Sequence, residues 1–142
     1  MELVLDASAT LAWLVRRVDP IEAQLADDLL RQIEKKNALV PALWFPEVAN
    51  GILVAERRDG IVPSTSADFL RLLEVLPILE DGTRPSAVQS TVLTLARAYK
   101  LTAYEATYLE LTMRTGAMLA TFDRQLAEAA RSAGARVFGD GQ

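Results

Sequence analysis

Residues 3–6 read Leu-Val-Leu-Asp, an apolar run that stops at a carboxylate. A short continuous apolar run between polar residues is the pattern of a strand buried on both faces. Similar short runs recur at Ala38-Leu39-Val40, closed by Pro41, at Leu76–Leu79, closed by Glu80-Asp81-Gly82, at Met118–Thr121 and at Arg136–Phe138. Helical patterns fill the intervals between them, and strands alternating with helices predict a parallel sheet covered on both sides.

The helix signals are local. Ser8 to Val15 reads as a helix ending at Arg16-Arg17. Asp19-Pro20 opens the next, with a capping residue, proline at the first helical position and Glu22 in the first turn; it runs to Lys36. Leu43–Arg58 is helical, with Pro46 in the first turn where its missing N–H is tolerated, and Asp59-Gly60 ends it. Ser64–Glu74 follows. Ser86 with Gln89, and Thr102 with Glu105, both have capping-box spacing and open helices to Lys100 and Thr115. Asp123 begins a last helix that stops at Gly134, and the Gly-Asp-Gly-Gln tail is expected to fray. The predicted architecture is an α/β/α sandwich around a central, mostly parallel five-stranded sheet, in one domain over residues 1–142.

Composition narrows the chemistry. Hydrophobic residues make up 51% of 142, enough for a substantial core. No apolar run is long enough to span a bilayer and no secretory leader is evident, so a soluble, cytoplasmic protein is expected. There is no cysteine and no histidine. Disulfides, thiolate sites, histidine bases and His-containing zinc sites are therefore excluded. Catalysis would have to come mainly from carboxylates, hydroxyls, Lys, Arg or a metal. The net charge of −4 argues against indiscriminate nucleic-acid binding. No GxGxxG or GxxxxGK[ST] loop is present, which argues against the common nucleotide-binding folds.

In an open parallel sheet, ligands bind beyond the carboxyl ends of the strands. Asp6 follows the first strand, Glu47 lies in the first turn after the second, and Asp123 comes two residues after the fourth. Topology thus brings three carboxylates to one sheet edge, with Glu80 and Asp81 after the third strand as competitors. Glu105 follows a helix and is not placed by this rule. The structural alternative for each acid is a helix start, where carboxylates cap free N–H groups and favour the dipole.

Four segments in order, VLDASA (4–9), PEVAN (46–50), LTAYEATYLELT (101–112) and LATFDRQLAEAAR (119–131), resemble the PIN-domain family. Within it they are most similar to the VapC toxins of toxin–antitoxin pairs. The resemblance covers essentially the whole chain. It implies a metal-dependent endoribonuclease whose four acids, here Asp6, Glu47, Glu105 and Asp123, hold one or two Mg2+ or Mn2+ ions and activate water. Hard divalent cations take such oxygen ligands, which is why no histidine is needed. Without metal, clustered carboxylates repel, and at least one pKa is expected to be raised.

The chain departs from the family at Tyr104-Glu105-Ala106, where the acid is commonly Asp. The extra methylene keeps a weakly active or inactive binding module open as a rival. Thr121 matches a family Thr/Ser and is a candidate to hydrogen-bond a ligand carboxylate or a metal-bound water. Ser8, near Asp6, is a second candidate for that support or a helix cap. Asn50, one turn after Glu47, is a third or a plain surface residue. Arg16, Arg17, Arg57, Arg58, Arg84 and Arg124 are candidates for RNA phosphates or solvated helix ends. Trp13, Trp44, Phe45, Tyr104 and Tyr108 read as core or interface residues rather than base-stacking platforms. The resemblance further implies a homodimer and a VapB-like antitoxin; Leu43–Arg58 is a candidate part of its groove, with burial in the core an equal explanation of its leucines. A phosphoaspartate enzyme is disfavoured: Ser8 stands where a DxD motif would have its second Asp, and no lysine follows the fourth strand.

Overall fold

A computed structural model describes residues 2–141. In chain order the elements are β1 (Leu3–Leu5), α1 (Ala7–Leu11), α2 (Pro20–Lys35), β2 (Ala38–Val40), α3 (Trp44–Asp59), α4 (Pro63–Val75), β3 (Ile78–Glu80), α5 (Pro85–Tyr99), α6 (Ala103–Thr115), β4 (Met118–Ala120), α7 (Arg124–Ser132) and β5 (Arg136–Val137). The strands form one sheet in the order β3-β2-β1-β4-β5, and every neighbouring pair is parallel. The predicted three-layer α/β fold is therefore present, with a sheet wholly rather than mostly parallel.

The order runs outward from β1 in both directions, so its switch point lies between β1 and β4. Crossovers on either side of that point diverge and leave a crevice beyond the strand ends. Leu5 pairs with Ala120, and the Asp6 N–H donates to the Ala120 carbonyl at 3.1 Å. The two loops that leave the central strands are thereby held side by side.

The core forms on and around these strands. Val4, Leu5, Val40 and Leu119 of the sheet are sealed from solvent, as are Ile33 of α2, Leu109 of α6 and Ala130 of α7. Full burial of each larger aliphatic is worth about 1.5–3 kcal/mol. A buried polar chain joins α1 to α3: Trp44 Nε1 donates to Thr10 Oγ1 at 2.9 Å, and Thr10 Oγ1 donates to the Asp6 carbonyl at 2.8 Å. Gly51 allows the same two helices to approach closely, since a Cβ there would lie 2.1 Å from a Leu11 methyl.

Several boundaries differ from expectation. The first helix covers Ala7–Leu11 rather than Ser8–Val15, because the chain then tightens into turns and Trp13 Nε1 bonds to the Ala26 carbonyl at 2.9 Å. The third strand begins at Ile78, since Leu76 is still the buried last residue of the α4 end. The Ser86–Gln89 capping box does not form: Pro85 takes the first helical position and Arg84 the cap, so Ser86 is already inside the helix. The tail is tied down as far as Asp140, which accepts from Arg131 at 2.8 and 3.0 Å; Gln142 lies outside the described residues. Among the described residues, no helix is long and apolar enough to cross a membrane.

Candidate active site

Asp6 is the residue at which β1 turns into α1. It is 4% exposed and caps α1 by accepting from the Ala9 N–H at 2.9 Å. Ser8 Oγ donates to the same carboxylate oxygen at 2.7 Å, and the Thr121 hydroxyl donates to the other. Burial pushes the Asp6 carboxyl up from 3.8 to about 6, against the lowering effect of the Thr121, Ala9 and Ser8 hydrogen bonds. The raised acid is thus present as expected, but desolvation is its main cause. The negative charge of Asp123 adds a smaller push.

Two hydroxyls bind the β1 and β4 loops together. Ser8 Oγ accepts from the Phe122 N–H at 2.9 Å, and Thr121 Oγ1 accepts from the Asp123 N–H at 2.9 Å. Thr121 and Ser8 therefore both support Asp6. Asp6 itself, not Ser8, is the cap of α1, so that alternative for Ser8 falls. Asp123 caps α7 by accepting from the Leu126 N–H at 3.1 Å.

Glu47 sits in the first turn of α3, and its Oε1 accepts from the Tyr108 hydroxyl at 2.5 Å. Tyr108 is buried on α6, and its phenol is pushed up by burial, then by its hydrogen bond to Glu47 and by the charges of Glu47 and Asp6. The sequence reading placed Tyr108 in the core or an interface and missed its bond to an acid. The available signal was its position three residues after Glu105, on the same helix face. Glu105 completes the predicted capping box: its N–H donates to Thr102 Oγ1 at 3.1 Å, and its Oε1 accepts from the Thr102 N–H at 2.8 Å.

Asp6, Glu47, Glu105 and Asp123 all line one cleft of about 410 Å³, with Ser8 and Tyr108, and no Lys or Arg among the described residues lines it. Glu47 Oε2, Glu105 Oε2 and Asp123 Oδ2 accept no hydrogen bond among the described residues. Four carboxylates, three with an uncommitted oxygen and none with a cation beside it in the cleft, form a donor set suited to a hard divalent cation. As the side chains stand, no three acids among the described residues converge on one point, so a shared ion would draw them inward.

The other candidates lie elsewhere. Asn50 is exposed and does not line the cleft. Glu80 is exposed on the edge strand β3. Asp81 is paired with Arg114 at 2.6 Å, which holds its carboxyl below the usual range, and Arg114 also holds the buried Glu110 at 2.8 Å. The strand-end rule admits these two acids, but β3 is two strands from the switch point. Arg16 pairs with Asp27, and Arg17 pairs with Glu22 while lying 5.1 Å from the Phe122 ring centre. Arg57, Arg58, Arg84 and Arg124 are exposed and make no ion pair among the described residues. Trp44 and Tyr108 are buried as predicted, whereas Phe45 and Tyr104 are 48% and 62% exposed.

The structure is similar to the crystal structure of PAE2754 from Pyrobaculum aerophilum, with a TM-score of 0.67 and 26% identity over 97% of this chain and 84% of that one. No curated protein matches the sequence. The family model described as the PIN domain matches residues 3–132, from the first strand to the last helix, and by that match the chain belongs to the PIN domain family.

Proposed function

We propose that this protein is a metal-dependent endoribonuclease, the toxin of a VapBC-type pair, hydrolysing RNA phosphodiester bonds. PIN domains are generally metal-dependent nucleases. The observation that carries the reading is the cleft at the switch point, where Asp6, Glu47, Glu105 and Asp123 come together from four separate segments without a basic neighbour in its lining. Bound there, Mg2+ or Mn2+ would supply the Lewis acidity that activates water and polarises a phosphodiester.

The chain's own residues prepare that site. Ser8 and Thr121 fix the Asp6 carboxylate and stabilise its charge where burial opposes it. Tyr108 fixes Glu47. The Thr102 box absorbs the extra length of Glu105 by anchoring one oxygen at the helix start, leaving the other for a ligand. A VapB-like antitoxin and a homodimer accompany this reading. It is supported by an apolar groove of about 560 Å³ between α3 and α4, where Phe45, Leu53 and Leu70 are exposed.

A PIN fold without turnover, acting as a binding module, is the second reading; the tie between Glu105 and its capping box favours it. The test is incubation of the purified chain with structured and unstructured RNAs in Mg2+ or Mn2+, then in chelator, beside Asp6→Asn and Glu105→Asp. Loss of cleavage in chelator and in Asp6→Asn is expected. Cleavage that survives both would sink the metal-nuclease reading, and cleavage seen only with Glu105→Asp would favour the binding module.

A further inference from the structure

We propose that the pocket adjoining the carboxylate cleft is a nucleobase subsite, with the Tyr104 ring as its stacking wall. The proposal takes RNA as the ligand, as in the reading above, and adds selectivity for one base beside the scissile phosphate. The pocket holds about 260 Å³ between the β2–α3 loop and the starts of α5 and α6. Its apolar wall comes from Pro41, Leu43, Pro85, Val88 and Val92.

Tyr104 belongs to both cavities, lining this pocket and the carboxylate cleft. It is 62% exposed, and neither its hydroxyl nor its ring has a partner among the described residues. A large exposed aromatic at this junction is unexplained by core packing. Its neighbour in sequence is Glu105, which lines the same carboxylate cleft. A nucleotide carries base and phosphate on one sugar, so the sites for the two must adjoin in the same way. Unpaired bases stack on aromatic rings and are read through their hydrogen-bonding edges.

The polar groups of the pocket suit such an edge. The Gln89 amide makes no hydrogen bond among the described residues and offers both a donor and an acceptor. Thr107 Oγ1 donates to the Ala103 carbonyl at 2.7 Å and retains accepting capacity. The two acids in the lining, Asp81 and Glu110, are both bound by Arg114, so neither presents an unpaired charge to RNA. An apolar slot with a few convergent polar groups is the usual make-up of a small-ligand site.

The test is equilibrium binding of fluorescein-labelled single-stranded RNA octamers in Mg2+, Mn2+ and Ca2+, with one abasic nucleotide moved through the sequence. Each sample is also run on a denaturing gel, so cleavage is read separately. One abasic position should weaken binding roughly 5- to 150-fold, equivalent to about 1–3 kcal/mol for a stacked base. Tyr104→Ala should weaken intact RNA by a similar factor and leave that abasic RNA unaffected, a coupling that a folding defect would not produce. Tyr104→Phe should retain tight binding, and Gln89→Leu should change which base is preferred.

Binding that is indifferent to base removal, as expected if the pocket serves a protein side chain instead, would overturn the subsite. Equal weakening of intact and abasic RNA by Tyr104→Ala would overturn it too. Cleavage without base dependence removes the subsite and keeps the ribonuclease. Base-dependent binding without cleavage in any metal keeps the subsite and removes the ribonuclease, and no RNA binding at all removes both.

Discussion

Asp6 should make the metal-free protein lose stability as pH rises, by an amount that follows from its burial. The carboxyl titrates at about 6 in the fold against 3.8 ordinarily, mainly because burial disfavours its charged form. The native state therefore binds this proton more tightly than the unfolded chain. Its stabilising effect is complete below pH 3.8 and is lost progressively as pH rises through about 6. At about 1.4 kcal/mol per pH unit over that interval, the loss approaches 3 kcal/mol by pH 7. Asp6→Asn should remove it. The amide oxygen still accepts from the Ala9 N–H and Ser8, and the amide NH2 can donate to the Thr121 hydroxyl in place of the present bond.

The assay is urea denaturation of both proteins, freed of metal, from pH 4 to 7.5. Their difference cancels carboxylates common to both. Asp6→Asn should be near the wild type at pH 4 and more stable by about 1–3 kcal/mol at pH 7, the lower figure allowing for imperfect repacking of the amide. Added Mn2+ should reverse the order once it reaches about 1,000 times its dissociation constant, where it stabilises the wild type by about 4.1 kcal/mol. A difference that stays constant with pH, or a wild type that gains stability relative to Asp6→Asn between pH 4 and 6.5, would refute the desolvation argument.

Tyr108→Phe removes the 2.5 Å bond to Glu47; it should cost about 1 kcal/mol of stability and weaken Mn2+ binding severalfold in a calorimetric titration. Unchanged Mn2+ affinity would show that Tyr108 does not position Glu47. Arg114→Met leaves the buried Glu110 unpaired and should cost about 1–3 kcal/mol, less than for a fully buried pair because Arg114 is 32% exposed. Asp81 is held below 3.8 by Arg114, so the Asp81 part of this loss should appear above pH 3.8 and vanish as pH falls through the depressed value. Gly51→Ala should lower thermal stability by about 1 kcal/mol despite the helix preference for alanine, since the new methyl overlaps Leu11. Equal or higher stability would mean that α1 and α3 have slack at their crossing.

Signals confined to a few residues were legible in the chain. The strands at 3–5 and 38–40, the Asp19-Pro20 start, the Thr102–Glu105 box and the Asp123 cap all stand where local chemistry put them. Where two local signals competed, the stiffer one won: Pro85 starts α5 because its ring already has the helical φ, and the Ser86–Gln89 pair is left inside. Gly51 could not be read in advance as a contact point, because its partner Leu11 lies on another helix. Nor could Asp81 be set aside, because Arg114 is 33 residues away in the chain.

For the site, the sequence by itself narrowed the available chemistry. With no His and no Cys, carboxylates were the leading groups for the work, and strand-then-acid order put Asp6, Glu47 and Asp123 at one sheet edge. Only the tertiary structure decided what each acid is. Thr121 reaches Asp6 across 115 residues and Tyr108 reaches Glu47 across 61, and those bonds, with the packing around them, fix orientation and proton affinity. Desolvation and hydrogen bonding depend on which segments meet, and segments far apart in sequence meet only when the sheet closes β1 against β4.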